Sequence, residues 1–408
     1  AIADMTDPML KGRRLELPPR TPSIAKLIAS DARERDPRVR LEAIIGFRRL
    51  ESMAAPRWID ELLNGYESDV PLGHAAMQAV RASRNWPAVL KLLDEPDDKP
   101  MRAIALRALA GRAESELVDG LIDRLRTEPK ADRRREYADA LTRVYQKPSP
   151  WTYWGYRPPP RPANTVEWER TPQIKHAVNG VLLDPDHAVR LATLRRMQRE
   201  KIPTIPDTVE AWLADERDAE CVAAILESLK AHRPTLVREM LRAVVRENAH
   251  ATANRLGALA QLASGFDDES EKCLIDLADA VEDGPVLAAV LLQTGKRPKL
   301  ASGPLLVGKL SSADADVRAS AAEALAQLRD AGAGAEILPL LRDRDARVRR
   351  AAADAVGKLE VRAAAESLLK LARDSDAAVR RSSLHSLRVL KEPRVLPAAI
   401  AAANDSET

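Results

Sequence analysis

The side chains able to ionise, attack or coordinate are sparse in this chain, and none fall into a catalytic spacing. Its histidines are His74, His176, His187, His232, His250 and His385. His187 sits in a recurring motif and His385 in a predicted helix, so both read as local structure. Zinc hydrolases use His-Glu-x-x-His, nucleotide binders a glycine-rich phosphate cradle, and serine hydrolases a Gly-x-Ser-x-Gly elbow; the sequence contains none of these. Cys221 and Cys273 each fall in an apparent helix without a partner at zinc or haem spacing, and read as small buried hydrophobes. Glu114, Glu116 and Asp119 could share a helix face, but the first turn of a helix accounts for them equally well. No catalytic, cofactor-binding or metal-ligating residue is assigned, and the chain reads as a non-enzyme.

Recognition chemistry is better represented. Between Lys147 and Pro172 the chain carries Trp151, Tyr153, Trp154, Tyr156 and Trp168 among closely spaced prolines, with Arg157, Arg161 and Asn164 beside them. Three of the six tryptophans fall here in a chain that is only 3 % aromatic, so the concentration needs a cause. One cause is packing: a proline-rich loop laid along the body of the protein, its rings covering a mismatch between two blocks. The other is recognition, since tryptophan and tyrosine on a stiff polyproline segment form a hot-spot surface for a protein or a glycan. Those eight residues are the candidate partner-binding set.

The elements that would position them are repeats. Asp314-Ala-Asp-Val317-Arg318, Asp345-Ala-Arg-Val348-Arg349 and Asp376-Ala-Ala-Val379-Arg380 recur at an interval of 31, the mark of a stacked repeat. In the middle copy Asp345 is placed to cap a helix, its carboxylate accepting from first-turn N–H groups near Val348. Val348, Ala352, Ala355, Val356 and Leu359 then form one apolar stripe. A shorter helix over 336–342 precedes it. Neither helix would be stable alone in water, so neighbouring copies must bury both faces.

Asp36-Pro-Arg-Val39-Arg40 and Asp186-His-Ala-Val189-Arg190 are further full copies. Fainter ones start at Asp69, Asp98, Asp132, Asp218, Asn248 and Asp283. The anchor interval swells to 54 between Asp132 and Asp186, which locates the aromatic segment as an insertion. The predicted organisation is an irregular lead-in over 1–22, repeats over 23–146, the insertion over 147–172, repeats over 173–397 and a tail over 398–408.

These motifs resemble HEAT repeats, in particular the short lyase-type HEAT repeats of many bacterial proteins. The resemblance implies an all-α fold, an α-α superhelix or solenoid. It also implies a ladder role between neighbouring repeats for Asp36, Arg40, Asp186, Arg190, Asp314, Arg318, Asp345, Arg349, Asp376 and Arg380. The insertion carries a second resemblance. Its Trp154-Gly-Tyr156-Arg157-Pro through Asn164-Thr-Val-Glu-Trp168 run looks like a loop in the HEAT segment of large exported proteins of Planctomycetes and Verrucomicrobia. Those proteins join a sugar-dehydrogenase-like propeller, a HEAT segment and a c-type cytochrome. An exported, cell-envelope setting is implied. Without a Cys-x-x-Cys-His or a strand-rich propeller segment, haem binding and dehydrogenase activity do not transfer to these residues.

Bulk composition agrees with a repeat architecture. Hydrophobic residues are 45 %, so a core poor in aromatics must be built from Ala, Leu, Val and Ile. No apolar run approaches the roughly 20 residues that span a bilayer. Lys+Arg at 64 nearly balances Asp+Glu at 61, which argues against a nucleic-acid groove. The chain starts at Ala1 without Met, and is expected to be an excised or processed piece. The expected function is a scaffold that holds a protein, either a neighbouring domain of the same polypeptide or a separate partner. The alternatives are nucleic-acid binding through local clusters such as Arg133–Arg135 and Arg195, Arg196 and Arg199, or a role like that of HEAT-type bilin lyases.

Overall fold

The computed structural model describes residues 36–51, 53, 55–64, 69–149, 164–265, 267–297 and 302–402. It divides into two compact units, Ala1–Thr208 and Val209–Thr408. Each is an all-α assembly of the α-α superhelix class, in which helix pairs follow one another.

In the first unit one layer holds α1 (Pro37–Arg49), α3 (Val70–Ser83), α5 (Pro100–Leu109), α7 (Ala131–Thr142) and α9 (His187–Arg199). Between them in sequence, and forming the second layer, come α2 (Ala55–Leu63), α4 (Trp86–Lys91), α6 (Ser115–Thr127) and α8 (Thr171–Val181). α1 packs on α3, α3 on α5, and α7 on α9; in the other layer α4 packs on α6 and α6 on α8. The unit boundary falls in the first turn of α10 (Pro206–Asp215).

The second unit repeats the scheme more regularly. α11 (Ala219–Leu229), α13 (Thr252–Leu262), α15 (Pro285–Gly295), α17 (Ala315–Leu328), α19 (Ala346–Lys358) and α21 (Ala377–Val389) stack in one layer. Their partners are α12 (Pro234–Arg246), α14 (Asp268–Ala280), α16 (Gly303–Lys309), α18 (Gly334–Ile337) and α20 (Ala365–Leu371), with α22 (Val395–Ala402) against α21. The short helix expected over 336–342 begins as α18 and tightens into a 3₁₀ turn over Leu338–Arg342. Pro339 is the reason: it lacks the N–H that an α-helix would use there, and its ring collides with the carbonyl four residues back.

Caps and stripes explain the helix starts and the cores. Asp36, Asp69, Asp186, Asp218, Asp314, Asp345 and Asp376 each accept from an N–H of the first turn of the helix they precede. Val348, Ala352, Ala355 and Val356 are buried, while Leu359 is the half-buried C-cap of α19. Burying a valine of this kind contributes about 1.5–3 kcal/mol. Small residues let the layers close up. A Cβ on Gly295 would stand 2.6 Å from the Cα of Ala324, so α15 and α17 touch nearly backbone to backbone. Cys221 and Cys273 are buried, and burial pushes the Cys273 thiol above its usual range.

Candidate partner-binding site

The regular spacing of Arg and Asp forms a ladder, but with a different acid from the one expected. The Arg318 guanidinium donates from Nε and Nη2 to both carboxylate oxygens of Asp343, each at 2.9 Å. Arg349 does the same to Asp374, at 2.8 and 2.8 Å. The carboxylate therefore lies two residues before the next cap, and the motif aspartates Asp345 and Asp376 are occupied with first-turn N–H groups. The same acid also accepts from the N–H of the cap that follows it, Asp343 from Asp345 and Asp374 from Asp376, each at 2.9 Å. One carboxylate thus joins the preceding repeat's arginine to the start of its own repeat's second helix.

Two fainter repeats follow the same rule. Arg134 donates to both oxygens of Asp184 at 2.6 and 2.9 Å, and Asp184 in turn accepts from Asp186 N–H. Arg255 grips Glu282 at 2.6 and 3.3 Å. These pairs move two anchors. α7 is capped at Lys130 rather than Asp132, and α13 at Ala251 rather than Asn248. In Arg133-Arg134-Arg135 the spacing could not say which arginine holds the ladder position. The acid two residues before the cap was legible as Asp-x-Asp in Asp184, Asp343 and Asp374, but the motif aspartate drew the reading.

The other expected ladder arginines are placed as follows. Arg40 donates to the carbonyls of Leu62 and Asn64 at the end of α2, at 2.8 and 2.9 Å. Arg190 donates to Asp184 O, and Arg380 to Asp374 O and Ser375 O. Arg81 and Arg297, not singled out in the sequence, bind helix-end carbonyls too: Ala108 and Ala110 for the first, Ala263 and Gly265 for the second. A guanidinium suits the negative end of a helix dipole.

Electrostatics favour the ladder. Burial would raise the Asp343 carboxyl, but the Arg318 hydrogen bonds and the Asp345 N–H outweigh it, and the group titrates below the ordinary carboxylate range. Asp374 and Asp184 are lowered by the same balance through Arg349 and Arg134. Among the described residues, no group of three His, Cys, Asp or Glu side chains is placed to hold a metal ion. No described helix is long and apolar enough to cross a membrane.

Of the candidate binding residues, Trp151, Tyr153, Trp154, Tyr156, Arg157 and Arg161 lie outside the described residues. The two ends of the insertion are well defined. β1 (Lys147–Pro148) and β2 (Asn164–Val166) pair antiparallel, with Lys147 opposite Val166. Asn164 is exposed, its amide donating to Arg143 O at 3.4 Å. Trp168 is half buried: its indole N–H donates to Val144 O at 2.9 Å, and the Lys147 ammonium lies 4.1 Å from the ring centre. Thr171 accepts from Trp168 N–H and donates to Tyr145 O. Arg170 donates to Asp119 at 2.8 Å and Ser115 bonds to Glu169, tying this end to α6. Beside it, a cavity of about 610 Å³ opens between α6 and α8, lined by Asp119, Asp123, Arg126, Gln173 and His176 among others.

The family model for HEAT repeats matches residues 303–388 and 334–408. No curated protein matches the sequence. Among solved structures the chain resembles Kap121p, at 15 % identity and a TM-score of 0.51, over 93 % of this chain and 43 % of that one. Kap121p bound to the SUMO protease Ulp1p matches at 14 % identity and a TM-score of 0.51, over 93 % and 42 %. Kap121p bound to RanGTP matches at 14 % and 0.50, over 93 % and 45 %. The chain spans less than half the length of these structures, and at such identity the likeness shows the fold alone: a helical solenoid.

Proposed function

We propose that this HEAT-repeat chain is a noncatalytic scaffold that holds a protein, with the insertion over 147–172 as its principal contact. The observation that carries the reading is the use of the charged motif residues. Aspartates and arginines that could have served chemistry form caps, a repeat-to-repeat ladder and helix-end bonds, which leaves the exposed helix faces and the aromatic insertion for recognition. Stacked helix pairs provide extended surfaces that commonly hold proteins. Kap121p, which shares the fold, is bound to RanGTP in one structure and to the SUMO protease Ulp1p in another. The hairpin base supports the same division of labour: Trp168 anchors the segment to Val144, while Trp154 and its neighbours supply the contact.

The insertion's likeness to exported propeller–HEAT–cytochrome proteins supports a finer reading. In it the chain is the HEAT segment of a larger exported protein linked to sugar oxidation or electron transfer. The reading frame around the chain tests this directly, through the presence of a propeller upstream and a Cys-x-x-Cys-His downstream.

Two variants test the scaffold. Trp154→Ala should remove proteins captured from extracts of the source cell while leaving the melting temperature within about a degree. Trp168→Ala should lower the melting temperature by several degrees. An unchanged captured set with Trp154→Ala, compared by mass spectrometry with the wild type, would remove the insertion from the binding role.

A further inference from the structure

In the second unit two amide side chains of α13 bridge to α11. Asn254 Nδ2 donates to Ala219 O at 2.9 Å, and Gln261 Nε2 donates to Leu226 O at 3.0 Å. Donor and acceptor are 35 residues apart in both bonds, so the two rungs are equivalent. They stand two helical turns apart, about 10 Å along the axis. Each amide commits a donor in this way and keeps an acceptor oxygen. Among the described residues neither Asn254 Oδ1 nor Gln261 Oε1 has a hydrogen-bond partner, although Asn254 is only 7 % exposed and Gln261 is half buried.

A cavity of about 610 Å³ opens beside the rungs, and both amides line it. Its apolar walls are Leu226 of α11, Val237 and Leu241 of α12, and Leu262 of α13, all buried. Small residues leave the room: Ala223 on α11, and Gly257 and Ala260 on α13. A Cβ on Gly257 would find only Leu226 Cδ1 within 4 Å, at 3.9 Å, where Gly295 of α15 meets the backbone of α17. Ala223 and Ala260 are exposed, so the cavity opens to the surface on both helices. The charged side chains at its rim are already paired, Lys230 with Glu227 and Arg238 with Asp267.

We infer that this cavity binds a neutral, apolar peptide segment in an extended conformation. One aliphatic side chain enters the cavity, while backbone N–H groups three residues apart donate to Asn254 Oδ1 and Gln261 Oε1. The inference rests on the scaffold reading and gives it a second contact surface with a defined chemistry. The spare groups are acceptors, so the ligand must bring donors; one that covered them without donating would leave buried acceptors unmet, which is costly. Spacing selects an extended backbone. In polyproline II the N–H groups are free and return to the same side every three residues, about 9 Å along the chain, close to the separation of the rungs. A helical ligand has already used most of its N–H groups internally. With the rim charges closed in pairs, an apolar side chain and not a charge is what the cavity selects.

The test is fluorescence anisotropy on the full chain with a short labelled peptide of leucine and serine. The peptide should bind, with an affinity that added salt leaves within twofold. Changing its leucines to alanine, or methylating its backbone nitrogens, should each cost tenfold or more. Gly257→Leu fills the cavity and improves helix propensity, so it should lose tenfold or more with an undiminished melting temperature. Ala260→Leu, at an exposed position on the same wall, repeats that test independently. No saturable binding, equal binding of the N-methylated peptide, or affinity within twofold in both variants while circular dichroism shows a folded chain, overturns the site. Tighter binding of a helix-stapled peptide of the same composition overturns the extended assignment. Either failure leaves the Trp154→Ala capture experiment intact, so the loss of this site is distinguishable from the loss of the scaffold reading.

Discussion

Arg318 and Asp343 show what one residue pair does in a repeat protein. Their side chains are 8 % and 10 % exposed, so neither charge is well hydrated and each depends on the other. Arg318→Met leaves Asp343 buried without its partner and should cost about 3–5 kcal/mol, read as a lower urea midpoint. Asp314→Ala removes only a cap and should cost about 1 kcal/mol in the same experiment. The ladder also sets a pH dependence. Asp184, Asp343 and Asp374 have folded-state pKa values below the ordinary carboxylate value. Their contribution is therefore full above the unfolded value of about 4 and is lost as pH falls through the lowered folded values. Melting temperature should hold from neutrality to about pH 5 and then fall, and Asp343→Asn/Asp374→Asn should flatten that fall. A fall of equal steepness in the double variant would remove the ladder as its source. At this scale the aspartate caps of the clear motifs were legible, because a single residue type at a helix start determines them, whereas the anchors expected at Asp98, Asp132, Asn248 and Asp283 give way to Lys99, Lys130, Ala251 and Gly284 as caps. The ladder acid was not, since two aspartates stand two residues apart and only packing says which faces the neighbouring repeat.

Helices sit at different distances from their neighbours, and glycines report it. Gly295 faces Ala324 so closely that a methyl group would meet both its Cα and its backbone oxygen, at 2.6 and 3.0 Å, neither of which can turn aside. Gly295→Ala should destabilise by about 1–3 kcal/mol despite the better helix propensity of alanine. Gly73, inside α3, has nothing within 4 Å of an added Cβ. Gly73→Ala should therefore stabilise by about 0.5–1 kcal/mol. Opposite signs from one substitution, measured by thermal melting, would confirm that spacing between helices decides; equal signs would refute it. The sequence presents both as a glycine in an apolar helix, so the distinction was invisible there. The insertion shows a similar limit. Its prolines and rings marked it out, yet composition could not say that Trp168 turns inward to Val144.

For the molecule as a whole, each repeat contacts mainly its neighbours, so stability is close to a sum over repeats and their interfaces. The division between Thr208 and Val209 falls within the second expected block of repeats rather than at the insertion. A fragment over 203–408, which starts before α10 and keeps every helix of the second unit, should give a helical circular dichroism spectrum and a cooperative melt. Absence of a cooperative transition would show that the unit lacks an interior sufficient to fold alone.

Periodicity alone determined that this chain is built of helix pairs, where most of them begin, that its interior is made of small aliphatic side chains, and that one segment breaks the repeat. Those properties are local: a cap, a stripe and a proline act over a few residues along the chain. The tertiary structure decided which carboxylate each ladder arginine meets, which glycines are contact points, that Trp168 bonds back to Val144, and that α7 and α9 bring Arg135, Arg195 and Arg199 to one cleft. Each of these joins residues about 25 to 60 positions apart, and only the packing of one helix on another brings such residues within a few ångströms.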